Sequence, residues 1–112
     1  MKIYHNPRCS KSRQGLAILE EAKVNFEIIK YLETPFSKEE LSEIISLLKI
    51  SPLQLVRKNE AIWKEKFKGK DLTNDEIINA MVENPKLIER PIVINKGKAV
   101  IGRPPEVIKE IF

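Results

Sequence analysis

The sequence predicts an α/β sandwich: a mixed four-stranded sheet covered by helices, with a helical segment inserted in its middle. Three observations predict it. The chain opens on a strand pattern, a helix pattern and a second strand pattern within residues 2–31. Its centre carries two helix-start signatures and no strand signature. Its end carries two short apolar runs joined by Asn95-Lys96-Gly97. A length of 112 residues fits one domain spanning 1–112. Hydrophobic residues at 42% and charged residues at 32% give the balance of a globular chain with one core.

Lys2-Ile3-Tyr4-His5 reads as the first strand, and Asn6-Pro7 breaks it and starts a turn. Ser10 to Ala22 reads as a helix, with Leu16, Leu19 and Ala22 or Lys23 at helical spacing. Asn25 to Tyr31, rich in Phe26, Ile28, Ile29 and Tyr31, reads as the second strand. Strand, helix and strand at this length form a right-handed βαβ unit.

Ser37-Lys38-Glu39-Glu40 and Thr73-Asn74-Asp75-Glu76 are capping boxes, each with a hydroxyl at the cap and a glutamate three residues on. The first opens an apolar stripe through Leu41, Ile44, Ile45 and Leu48. The second opens one through Ile77, Ile78, Met81 and Val82. Ser51-Pro52 starts a short helix through Leu55. The lysine-rich stretch from Lys64 to Lys70 reads as a solvated loop. Pro91 to Ile94 and Lys98 to Ile101 read as a hairpin, with Gly97 free to take positive φ at the turn. Gly102-Arg103-Pro104-Pro105 leads into a short terminal helix. The order βαβ, helices, ββα describes a thioredoxin-like core with a helical insertion at about residues 37–88.

The net charge of +4 is unevenly placed. Lys2, Arg8, Lys11 and Arg13 all precede the first acid, Glu20, and the other charges balance. A compact positive spot suits a small anion. A nucleic-acid surface would show a broad basic face with aromatics, and aromatics here are 6%. No basic leader precedes an apolar run. No apolar run approaches the ~18 residues of a membrane span, and Lys109-Glu110-Ile111-Phe112 is not a lipidation signal. The expectation is a cytoplasmic protein that binds neither nucleic acid nor membrane. Without a sustained heptad pattern it is expected to be a monomer.

The chain has one cysteine, so no internal disulfide can form. Cys9 falls between the first strand and the first helix. There the first-turn amides and the helix dipole stabilise a thiolate. Arg8, Lys11, Arg13 and a protonated His5 would add positive potential. Ser12 stands where a dithiol oxidoreductase would carry its second cysteine. It can cap the helix or hydrogen-bond the thiolate or a bound anion, but a resolving thiol must come from another molecule. One histidine and one cysteine make a metal site unexpected.

The stretch Tyr4-His5-Asn6-Pro7-Arg8-Cys9-Ser10-Lys11-Ser12-Arg13 resembles the N-terminal signature of the arsenate reductase family, in its glutaredoxin-dependent (ArsC) type. Leu55-Val56-Arg57-Lys58-Asn59, Glu89-Arg90-Pro91-Ile92-Val93 and Gly102-Arg103-Pro104 match three further blocks in order. Ser10 and Lys11 replace the small residues, Gly and Thr, that many members carry after the cysteine, and Arg8 stands where a small residue is common. These features resemble the arsenate-reductase-like (YfgD-like) branch.

The resemblance implies that Cys9 is the nucleophile and that His5 and Ser12 assist it. Arg57, Arg90 and Arg103 would bind the oxyanion, since guanidinium forks match its oxygens and keep their charge. Pro91 would follow a cis bond beside the site. The implied reaction reduces arsenate to arsenite through a covalent Cys9 adduct. Glutathione is the co-substrate, a glutaredoxin is the partner, and no cofactor is tightly bound. Two other activities suit the same residues. One is a glutathione-linked thiol transferase or deglutathionylase. The other is a non-enzymatic stress regulator that binds RNA polymerase, although such regulators commonly use the CxxC switch that Ser12 removes.

Overall fold

Strand β1 (Lys2–Tyr4) exposes Lys2 and buries Ile3 and Tyr4, so its position is central. In the computed structural model, which describes residues 1–112, β1 runs parallel to β2 (Glu27–Ile29), with Ile3 opposite Ile28. On its other side β1 pairs antiparallel with β3 (Ile92–Asn95), with Ile3 opposite Val93. β3 returns as β4 (Lys98–Ile101) through a tight turn in which Lys96 and Gly97 both take positive φ. Two positive φ angles are what a two-residue hairpin turn needs to match strand twist. The sheet order is β2-β1-β3-β4. This mixed sheet, with its βαβ opening and ββα close, is thioredoxin-like.

A parallel pair needs a crossover, and helix α1 (Ser10–Ala22) supplies it. Ile3, Leu19, Val93, Ile108 and Ile111 form one buried cluster, with Leu16, Phe26 and Val100 packed against it. Ile108 and Ile111 belong to a terminal helix of 3-10 type over Pro105–Ile111. These elements form one compact unit, residues 1–34 with 90–112.

Residues 35–89 form a second compact unit. Helices α2 (Lys38–Leu48) and α4 (Asn74–Glu83) both open on complete capping boxes, as the sequence predicts. In each, the hydroxyl of Ser37 or Thr73 accepts the N–H of the glutamate three residues on. Leu41, Ile44 and Ile45 of α2 and Ile77, Ile78 and Met81 of α4 are buried. Short 3-10 helices cover Pro52–Leu55 and Pro85–Leu87, and an isolated antiparallel bridge joins Val56 to Ile88. No helix is long and apolar enough to cross a membrane.

The structure corrects three boundaries. β2 is shorter than Asn25 to Tyr31, because Tyr31 is buried within a turn in which the Lys30 carbonyl accepts the amides of Glu33 and Thr34. The hairpin starts at Ile92, since Pro91 has no N–H to give to a ladder. The stretch expected as a loop from Lys64 begins inside helix α3 (Ala61–Lys66). Trp63 and Phe67, four residues apart, stack with ring centroids 5.4 Å apart. That pairing is the apolar side of a helix that its lysines conceal in sequence.

Candidate active site

The turn from β1 into α1 is tied at both ends. The Asn6 side chain accepts the Arg8 N–H at 3.0 Å, and the Cys9 N–H donates to the Asn6 carbonyl at 3.0 Å. An asparagine that bonds the backbone two residues on is an Asx turn. Arg13 Nη1 donates to the Pro7 carbonyl at 2.9 Å. The chain therefore delivers Cys9 to the N-cap of α1 in extended conformation, partly exposed.

Two arginines meet the sulfur. Arg103 Nη2 lies 3.5 Å from Cys9 Sγ, and Arg103 Nε donates to the Arg90 carbonyl at 2.8 Å. Burial pushes the Cys9 thiol up. The Ser12 backbone amide, then the hydrogen bond and charge of Arg90, then the Lys11 backbone amide pull it down. The net result is a thiol held below its ordinary value of 9.0. The Cys9 side chain makes no capping hydrogen bond. Anionic sulfur is the stronger acceptor, so the first-turn amides favour the thiolate. Arg90 also keeps its Nε buried without a hydrogen-bond partner. A buried orphan donor beside a thiolate is a fork ready for an anion's oxygen.

His5 and Ser12 lie behind this arrangement. His5 Nδ1 is 2.7 Å from Ser12 Oγ, and Ser12 Oγ accepts the Asn6 N–H at 2.9 Å. Burial lowers the His5 pKa below 6.5, and the charges of Lys30 and Arg13 lower it further, against a hydrogen bond to the Ser12 backbone. The protonated His5 expected beside the sulfur is thus replaced by a neutral imidazole held by Ser12. The Ser12 hydroxyl serves His5 and Asn6, and it is the Ser12 backbone that favours the thiolate.

The remaining candidates divide. The peptide bonds Arg90–Pro91 and Arg103–Pro104 are both cis. Lys11 reaches the sulfur's electrostatics through its backbone rather than its ammonium. Arg13 acts on Pro7 and His5, and Arg8 is exposed. Arg57 belongs to the second unit. There Arg57 N–H donates to the Leu87 carbonyl, Glu89 N–H donates to the Leu55 carbonyl, and Arg57 Nη1 lies 3.7 Å from Glu89 Oε1. Its Nε is buried without a hydrogen-bond partner.

Three contributions go beyond the sequence reading, which placed a turn at Asn6-Pro7 but not the side-chain bond that ties it. Asn6 fixes the turn, and an Asn-Pro step after a strand is a readable Asx signal. Lys30 adds to the effect of burial in lowering the His5 pKa, and the parallel pairing of β1 and β2 brings it there. Gly15 is the third. A Cβ there would stand 2.8 Å from Pro91 Cγ and 2.9 Å from Ile108 Cδ1, and a Cβ at Gly102 would meet the same two atoms at the same distances. Pro91 is held where only two glycines leave room. No group of three or more His, Cys, Asp or Glu side chains is placed to hold a metal ion.

Comparison with known proteins gives a consistent result. The model of the ArsC family matches residues 4–111. The protein YfgD of Escherichia coli (strain K12) is 49% identical over 113 residues, covering 99% of this chain and 95% of its own. A protein named arsenate reductase from Neisseria meningitidis serogroup A is 42% identical over 114 residues, covering 100% of this chain and 97% of its own. The solved structure of an arsenate reductase from Vibrio cholerae superposes with a TM-score of 0.94 at 46% identity, covering 100% of this chain and 98% of that one.

Proposed function

We propose, from the premise that this chain belongs to the ArsC family of arsenate reductases, that it reduces arsenate to arsenite with Cys9 as its nucleophile. Glutathione and a glutaredoxin supply the electrons. The observation that carries this reading is the Cys9 sulfur at a helix N-cap, its pKa lowered, with Arg103 at 3.5 Å and Arg90 beside it.

The chemistry follows from those positions. Arg90 and Arg103 bind two oxygens of the tetrahedral anion and offset its charge, so a second anion, the thiolate, can approach. The resemblance assigns Arg57 to the same oxyanion. The Cys9 thiolate attacks arsenic(V). A sulfur–arsenic bond forms, an arsenic–oxygen bond breaks, and the oxygen leaves as water after protonation. Glutathione thiolate then attacks Cys9 sulfur. The sulfur–sulfur bond forms as the sulfur–arsenic pair passes to arsenic, which leaves as arsenite, arsenic(III). A glutaredoxin thiol then takes the glutathionyl group and returns Cys9 to its thiolate.

The protein contributes a poised nucleophile and a preorganised cationic site, and external thiols contribute both electrons. With no second cysteine in the chain, the resolving thiol has to be external. In this scheme the protein works as a cytoplasmic monomer without a bound cofactor.

The test is a coupled assay with arsenate, glutathione, glutaredoxin, glutathione reductase and NADPH. Arsenite formation that disappears in Cys9→Ser is the expected result. Arg57→Lys, Arg90→Lys and Arg103→Lys should each raise KM for arsenate. Turnover of a glutathionylated peptide with none of arsenate would replace this reading with the thiol-transferase one.

A further inference from the structure

The turn after β2 and the turn before Cys9 face each other across a cavity of about 300 Å³. Its walls are His5, Pro7 and Arg8 on one side and Lys30, Leu32 and Glu33 on the other. Both walls are fixed. The Asn6 side chain holds the Arg8 amide, Arg13 holds the Pro7 carbonyl, and the Lys30 carbonyl accepts the amides of Glu33 and Thr34. The charged lining is two cations and one anion. Leu32, 39% exposed, adds an apolar side chain at the same cavity.

We propose that this cavity is the subsite for the donor thiol, a short peptide thiol with two carboxylates and one ammonium, of which glutathione is the type. The proposal rests on the arsenate-reducing function given above and names where its second substrate sits. Arg8 and Lys30 receive the two carboxylates, and Glu33 receives the ammonium. A ligand of net charge −1 meets a lining of net charge +1. The volume is at the small end of ligand pockets, which suits a tripeptide. An extended tripeptide spans roughly 10 Å, and the wall ends at Arg8, the residue directly before Cys9. A thiol at the middle of such a ligand is thus carried toward the sulfur it must attack. The Lys30 charge also reaches His5 across this cavity and helps to keep the imidazole neutral.

The cavity lies within the first unit and is separate from the arginine pair on Cys9, so the two substrates have different binding groups. That separation gives the test. In a single turnover on arsenate without glutaredoxin, the second-order rate constant for arsenite release is measured with glutathione and with 2-mercaptoethanol, which has no carboxylate. Lys30→Glu should lower the ratio of the two values at least tenfold, and Lys30→Gln should lower it less, in the same direction. The ratio cancels any change in Cys9 reactivity. In parallel, S-methylglutathione is titrated into Cys9→Ser protein and followed by amide NMR shifts. The expected shifts centre on Arg8, Lys30 and Glu33 and weaken in Lys30→Glu. A ratio unchanged by both Lys30 substitutions, or shifts centred elsewhere, overturns the proposal. Absence of arsenite in the coupled assay with glutaredoxin present defeats the arsenate function, and the NMR titration still decides the subsite.

Discussion

His5 Nδ1 and Ser12 Oγ are 2.7 Å apart, and both side chains are buried. Ser12 Oγ already accepts the Asn6 N–H. The arrangement that satisfies all three groups has the Ser12 hydroxyl donating to His5 Nδ1, with the ring proton on Nε2. Strand end, turn and helix first turn are joined at this one oxygen. Cys9 is carried by the turn that these bonds hold.

Removal of that oxygen should therefore destabilise the protein. Ser12→Ala leaves the Asn6 amide and His5 Nδ1 buried without a partner, at a cost of about 1–3 kcal/mol for each group left unsatisfied. Urea unfolding should show a lower midpoint with an unchanged slope. An unchanged midpoint would show that the network contributes nothing to stability.

The neutral His5 gives a pH signature. Its folded pKa lies below 6.5, so the unfolded chain binds more protons between the folded value and 6.5. Stability therefore falls as pH drops through that window, and the full contribution is present above 6.5. His5→Asn should lack this component. The comparison is the difference in urea midpoint between the two proteins across about pH 8 to 5. A difference that grows as pH falls to 6.5 and is lost as pH rises above it would mean that the imidazole gains charge on folding.

Cys9 should ionise below 9.0. The rate of alkylation by iodoacetamide as a function of pH reads this directly. Arg90→Gln and Arg103→Gln should move the profile to higher pH. A rise of about one in the thiol pKa cuts the neutral-pH rate by about tenfold. The larger change is expected for Arg90, whose hydrogen bond and charge both act on the thiol. Identical profiles in wild type and both variants would remove the arginines from the account of its reactivity.

Gly15→Ala sets two effects against each other. Alanine gains roughly 1 kcal/mol of helix propensity. The added Cβ meets the Pro91 ring at 2.8 Å, and overpacking of this kind costs about 1–3 kcal/mol. Ile108 Cδ1 can swing away, but the proline ring cannot. The net result should be loss of stability, with slower Cys9 alkylation as Pro91 and its neighbour Arg90 shift. Gly102→Ala lacks the helical gain and should cost more. A Gly15→Ala protein more stable than wild type would show that Pro91 gives way freely.

What the sequence discloses is local. The capping boxes at Ser37 and Thr73 each lie within four residues, and both are present. The helix from Ser10 to Ala22 begins directly after Cys9, as its spacing predicts. What the sequence hides depends on distant partners. Tyr31 reads as strand because it is apolar, yet it is buried in a turn. The neutrality of His5 depends first on its burial and then on Lys30, which lies in another part of the chain. The fit of Gly15 and Gly102 around Pro91 joins three separate segments and has no signal in any one of them. Arg90 and Arg103 are legible as a pair only through family resemblance, while their approach to Cys9 is a product of the fold.

The lone thiol of Cys9 has a consequence under oxidative stress. A peroxide that reaches the thiolate converts it to a sulfenic acid, which a neighbouring thiol in the same chain would normally seal as a disulfide. Ser12 cannot do so, and no other cysteine exists in the chain. Each such event must be rescued by a small thiol from outside or proceed to the sulfinic state, which is irreversible for most proteins. With Cys9 as the proposed nucleophile, the fraction of active molecules would then record the history of the surrounding thiol supply: a brief shortage would leave permanent losses, where a dithiol protein would have rested in a recoverable closed form.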